Sequence, residues 1–103
     1  GWNMTTQVAN TILAQLGGGR FLAMTGAHSL AAGPDSLSFK LGRNPGGVSA
    51  VVVQLMDDDT YDVRTYARKP FPECIRLLTW EKGIYADGLA GLVASETGLA
   101  LSL

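Results

Sequence analysis

The chain holds little of the chemistry that catalysis and metal binding draw on. Among 103 residues there is one cysteine, Cys74, and one histidine, His28. A lone cysteine excludes an internal disulfide and a cysteine-based zinc cluster, and it is compatible with a reducing cytoplasm. A lone histidine with no orienting partner or nucleophile motif beside it offers no Ser-His, Cys-His or HExxH arrangement. No apolar run approaches the ~20 residues that span a bilayer. The N-terminus lacks the basic start and apolar core of a signal peptide. Charge of either sign is also in short supply. A formal net charge of −1 gives no global pull toward nucleic acid or acidic lipid. These shortages point to a cytoplasmic protein without membrane attachment, cofactor, metal or enzymatic activity.

What is present is a core. Hydrophobic residues make up 47% and charged residues 17%, a globular composition and not a disordered one. The length suits one domain. Gly1-Trp2-Asn3 stand ahead of Met4 and read as added residues, which leaves residues 4–103 as a single small domain. No repeat, linker or low-complexity tract divides it.

The clearest pattern runs over Gly47–Lys69. Val51, Val53 and Leu55 share one face of a strand, with Val52, Gln54 and Met56 on the other. After Asp57-Asp58-Asp59, Tyr61, Val63, Thr65 and Ala67 alternate with Asp62, Arg64, Tyr66 and Arg68. Aspartates suit the turn because their side chains bond their own backbone. One face is apolar and the other charged, so the sheet is expected to be antiparallel and covered on one side only.

Elements on either side complete an α+β order. Thr5–Leu16 reads as an amphipathic helix, with Val8, Ala9, Ile12, Leu13 and Leu16 on one stripe, a threonine cap and a stop at Gly17. The glycines 17–19 followed by Arg20 read as that stop and not as a phosphate loop, which follows a strand and precedes a helix. Arg20–Thr25 is expected to be a short strand and Gly26–Gly33 a loop carrying a solvated His28. Ser36–Leu41 alternates cleanly, with Leu37, Phe39 and Leu41 inward. Pro70-Phe71-Pro72 breaks the chain, Cys74–Trp80 reads as a further strand with Cys74 a buried small hydrophobe, and Lys82-Gly83 as a turn. Asp87–Thr97 reads as a second helix stopped by Gly98, and the apolar tail Leu99–Leu103 as a segment that packs back or meets a second copy. The expected fold is α+β: an antiparallel sheet of four to five strands with N-terminal and C-terminal helices on one face.

Two surfaces are candidate sites. Asp57, Asp58 and Asp59, with Asp62, form the densest acidic cluster. They lack the spaced ligands, central Gly and distal Glu of a calcium loop, so a solvated hairpin tip is the better reading. Lys40, Gln54, Arg64, Tyr66 and Arg68 fall on the polar side of their strands, with Arg20 and Arg43 at strand ends nearby. Basic residues interleaved with an aromatic on an open sheet can hold single-stranded nucleic acid. The balanced net charge favours a solvated sheet face or a surface for a protein partner instead.

Three stretches, QLGGGRFLAMTGA (15–27), DTYDVRTY (59–66) and GIYADGLAGLVASETGL (83–99), resemble a pattern in small phage- and prophage-encoded proteins without an assigned activity. The resemblance covers most of the chain from Thr5 and departs at Lys69–Glu73, where KPFPE lengthens a connection. It implies no catalytic residues. It implies instead a cytoplasmic accessory protein that binds a host or phage protein, an inhibitor of host defence such as a CRISPR effector being the specific version. A nucleic-acid-binding module, a homo-oligomer and a small enzyme are the alternatives.

Overall fold

A computed structural model describes residues 7–99. Five strands form one antiparallel sheet in sequence order, β1 (His28–Ala32), β2 (Ser36–Lys40), β3 (Ala50–Leu55), β4 (Tyr61–Arg68) and β5 (Ile75–Ile84). Three α-helices accompany it: α1 (Gln7–Leu16), α2 (Gly19–Thr25) and α3 (Leu89–Thr97), the last preceded by a 3-10 turn at Ala86–Gly88. The fold is α+β, with an antiparallel sheet and helices near both ends of the chain. Among the described residues no helix is long and apolar enough to cross a membrane.

The central hairpin follows its alternation. Leu37 and Phe39 of β2, Val51 and Val53 of β3, and Tyr61, Val63, Thr65 and Ala67 of β4 are buried. Register sets Leu37 against Val53, Phe39 against Val51, and Val53 against Val63, so one face of the sheet is a continuous apolar floor. Ala9, Ile12 and Leu16 of α1, Phe21 of α2, and Leu89 and Val93 of α3 pack on it. Between β3 and β4, Met56 N–H donates to Thr60 O and Asp59 N–H to Met56 O, with Asp59 at φ 65°, a conformation aspartate tolerates.

Four expectations are corrected. Arg20–Thr25 is helix and not strand. Its buried residues are Phe21 and Thr25, one helical turn apart, while Ala23 is exposed. A strand would have buried Phe21 and Ala23 together. The glycines 17–19 therefore join two helices: Gly17 N–H reaches Ala14 O and Gly18 N–H reaches Leu13 O, the paired bonds of a glycine-stopped helix end. Residues 28–32, expected as loop, form the edge strand β1, with an irregularity between His28 and Ala31. Lys82-Gly83 does not turn the chain. It is an extra residue absorbed within β5, where the pairing shifts from Tyr61–Ile84 to Val63–Glu81 and Gly83 takes φ 70°. Cys74 is exposed, not buried, at φ 65° just before β5.

Residues 1–6 and 100–103 lie outside the described residues, and with them the threonine cap of α1 and the apolar tail beyond Leu99.

One local device appears twice. At the end of α2, Thr25 Oγ1 donates to Phe21 O at 2.7 Å, Gly26 takes φ 68°, and Ala27 N–H donates back to Thr25 Oγ1 at 3.2 Å. At the end of α3, Thr97 Oγ1 donates to Val93 O at 2.7 Å, Gly98 takes φ 72°, and Leu99 N–H donates to Thr97 Oγ1 at 3.2 Å. Both threonines are buried, so each hydroxyl spends its donor and an acceptor lone pair inside the stop. Thr-Gly is thus a complete helix terminator in this chain.

A candidate binding face on the open sheet

The helices occupy one face of the sheet, and among the described residues nothing covers the other. Pairing sorts the outer residues into rows across the strands. One row runs Ser36, Gln54, Asp62; the next Ser38, Val52, Arg64, Trp80; the next Lys40, Ala50, Tyr66, Leu77; and Arg68 pairs with Ile75 at the end. Lys40, Gln54, Arg64, Tyr66 and Arg68 therefore share one face, as their alternation implies. Arg20 does not join them, because it belongs to α2 in the helical layer.

At the β5 edge of this face stands Trp80, a residue that alternation in the sequence does not single out. It is 49% exposed, and its Nε1–H donates to Asp62 Oδ2 at 3.1 Å. Arg64 lies 5.7 Å from the centre of the indole and Lys82 Nζ 4.6 Å from it, so two cations sit on one aromatic ring. Arg64 also donates from Nη2 to Gln54 Oε1 at 3.4 Å, while its Nε is buried without a partner among the described residues.

Asp62 still shares a cavity wall with Asp57 and Asp58, but its carboxylate is committed to the indole. It is 8% exposed and engaged with the indole, not a fourth carboxylate at the tip. Asp57, Asp58 and Asp59 are exposed on the β3–β4 turn. Asp58 turns inward on its own backbone: Oδ1 accepts from Thr60 Oγ1 at 2.6 Å and from Thr60 N–H at 3.2 Å. These bonds, the hydroxyl's foremost, hold the Asp58 carboxyl below the usual aspartate range. Among the described residues no three of histidine, cysteine, aspartate and glutamate converge as a metal ligand set.

The edge beyond Trp80 is long and apolar. Ile75, Leu77, Leu78 and Trp80 of β5 are all exposed, with Phe71 before the strand and Tyr85 after it. The signal was present in the sequence as CIRLLTW, but the face each residue takes was hidden by a second irregularity. Thr65 pairs with Thr79 and Tyr66 with Leu77, so Leu78 is an extra residue that resets the alternation. Only with that reset do Leu77 and Trp80, three apart, share a face.

No family model matches the chain, and no curated protein or solved structure matches it either.

Proposed function

We propose that this chain is a non-enzymatic accessory binding protein of phage or prophage type, and that it docks a host protein through β5 and the open face around Trp80. One observation carries the reading: of seven large hydrophobic side chains that stand exposed among the described residues, Phe71, Ile75, Leu77, Leu78, Trp80 and Tyr85 all lie on β5 or its flanks. A patch of that kind is what protein-binding surfaces present. Tryptophan and arginine are also the residues on which binding energy concentrates. β5 is an edge strand of ten residues, and an edge offers unpaired N–H and C=O groups to a strand from a partner. Inhibition of a host defence effector, such as a CRISPR nuclease, is the version supported by the phage-type pattern at residues 15–27, 59–66 and 83–99.

Capture from host lysate tests it when wild type is compared with Trp80→Ala and Leu77→Lys. Both side chains are half-exposed, and because Trp80 also donates to Asp62, circular dichroism and thermal unfolding first check that each variant keeps the fold. The partner captured by wild type is expected to be lost, with affinity falling at least ~30-fold for Trp80→Ala, the ~2 kcal/mol of an aromatic anchor. Equal capture by all three proteins would end this assignment of the surface. Light scattering on the same samples shows whether the occupant of β5 is a second copy.

A nucleic-acid reading has its own support, because the Arg64–Trp80–Lys82 stack shares a face with Tyr66 and Arg68. Single-strand binders combine aromatic platforms with cations in this way. On that reading, single-stranded DNA binds more weakly as salt rises and in Arg64→Ala/Arg68→Ala. Salt-independent or absent binding removes it.

A further inference from the structure

At the end of the sheet away from the aspartate tip, cations gather without a counter-charge. Pairing of β1 with β2 sets His28 directly opposite Lys40, and pairing of β2 with β3 sets Lys40 opposite Ala50. Next to Ala50, Ser49 Oγ accepts the Arg68 N–H at 3.0 Å, which ties the end of β4 to the same corner. Two cavities of about 270 and 150 Å³ share Lys40, Ser49 and Arg68 in their walls, one also taking in His28 and the other Cys74. Among the described residues no carboxylate lines either cavity, and neither Lys40 nor Arg68 forms an ion pair. Glu73, beside Cys74, is already held by Arg76 at 2.8 Å.

The backbone at this corner is under constraint as well. Among the described residues, Ser29 and Cys74, at φ 54° and 65°, are two of the three non-glycine residues with positive φ, and both border the cavities or a residue that lines them. The third, Asp59, is explained by its turn. Cys74 closes the turn between β4 and β5, its N–H donating to Pro70 O, and Ser29 sits in the irregularity of β1.

We propose that this cleft binds a phosphate group. The Lys40 ammonium and the Arg68 guanidinium supply the charge, and the guanidinium fork matches phosphate oxygens in pairs. Ser49 Oγ accepts from Arg68 N–H, so its own proton is free to donate to the ligand. His28 lines the larger cavity, and its Nδ1 lies 3.0 Å from Ser29 Oγ, which leaves Nε2 as the ring nitrogen available to a ligand. The shared chemistry is a phosphate oxyanion, which reaches the cleft either as a small phosphate monoester or as one link of a nucleic-acid strand.

An NMR titration of the amide resonances with inorganic phosphate, repeated with a short single-stranded oligonucleotide, tests the site and separates its sources. Saturable shifts confined to His28, Lys40, Ser49 and Arg68 are expected. Lys40→Ala and Arg68→Ala should each weaken binding about tenfold, the effect of losing one charged hydrogen bond. Arg43→Ala, an exposed cation on the neighbouring loop, should leave it unchanged. Both Lys40 and Arg68 are exposed, so the variant spectra should otherwise match wild type. An oligonucleotide that saturates the same amides and displaces phosphate makes a strand the source; phosphate binding alone makes it a small molecule. Shifts that rise without saturation across Arg20, Arg43 and Lys82, or an affinity unmoved by Lys40→Ala, would overturn the proposal.

Discussion

Phe21→Ala is expected to cost about 4 kcal/mol of stability, the range for a fully buried aromatic cut back to a methyl. Phe21 is 0% exposed and meets Phe39 edge to face, ring centres 5.2 Å apart at 80°. Its removal takes away the transfer energy of the ring and an aromatic pair, and leaves a cavity between α2 and β2. For a domain of this size, 4 kcal/mol corresponds to a drop of more than about 15 °C in Tm. Urea unfolding should show the midpoint falling with the slope unchanged. Ala23→Lys is the companion measurement. Ala23 is exposed on α2, so this change should stay within ~0.5 kcal/mol, as surface substitutions do. If 20–25 were a strand, Ala23 would share the buried face of Phe21 and the lysine would be severe. A mild Phe21→Ala or a severe Ala23→Lys would each mean that α2 does not pack as described.

That contrast shows where the sequence was legible. β2, β3 and β4 are half-buried on one side, so burial itself enforces a period of two. The alternation of Leu37 with Phe39, and of Val51 with Val53, could hardly sit on any other element. RFLAMT is six residues with four consecutive apolar side chains, too short for a period of 3.6 to separate from one of 2. Gly17 to Gly19 hid the outcome further, because a glycine run ends a helix without specifying the type of the next element. β1 fails for the opposite reason. His28-Ser29-Leu30-Ala31-Ala32 is small, polar and mostly exposed, since it closes an edge, so burial imposes no pattern on it.

The binding face was half legible for the same physical cause. Arg64, Tyr66 and Arg68 alternate on a regular strand, and counting by two places them correctly on the outer face. Trp80, Leu77 and Ile75 stand on a strand with two extra residues, near Leu78 and near Gly83. Counting by two fails across such an insertion. Asp62 illustrates a further limit. Its position on the outer face follows from alternation, but its burial follows from the indole donated by a strand eighteen residues later. Such a pair is a tertiary fact with no local signature. The two irregularities also carry a consequence for β5 itself, since extra residues twist an edge and admit few registers to an incoming strand.

Gly46→Ala is expected to cost about 3 kcal/mol or more, although Gly46 is exposed on a loop and touches no apolar core. The loop from Gly42 to Gly47 seats on the end of α3. Gly46 N–H donates to Thr97 O at 2.9 Å, satisfying a carbonyl that the helix end leaves unpaired. A β-carbon at Gly46 would fall into the Glu96 carbonyl oxygen and against Thr97 Cα at 3.0 Å. Both obstacles are backbone, and neither can swing aside as a side-chain tip would. The loop has little freedom to retreat. Asn44 pins it with Nδ2 donating to Gly42 O at 2.8 Å and Val48 O at 2.6 Å, and with Oδ1 accepting Val48 N–H at 3.0 Å. Opposite, Pro45 already lies where a β-carbon at Gly98 would come within 2.9 Å. The alanine must therefore displace the end of α3 from the loop, breaking the Gly46–Thr97 bond and loosening Val93, 1% exposed one turn earlier. Gly47→Ala separates this from a backbone effect. Gly47 takes φ 69° with nothing within 4 Å of a β-carbon, so its cost is the left-handed conformation alone, about 1–2 kcal/mol. Thermal unfolding of both variants decides the matter. Gly46→Ala falling further than Gly47→Ala marks the loop–helix contact as the cause, and the reverse order would show that the close approach at Gly46 relaxes without cost.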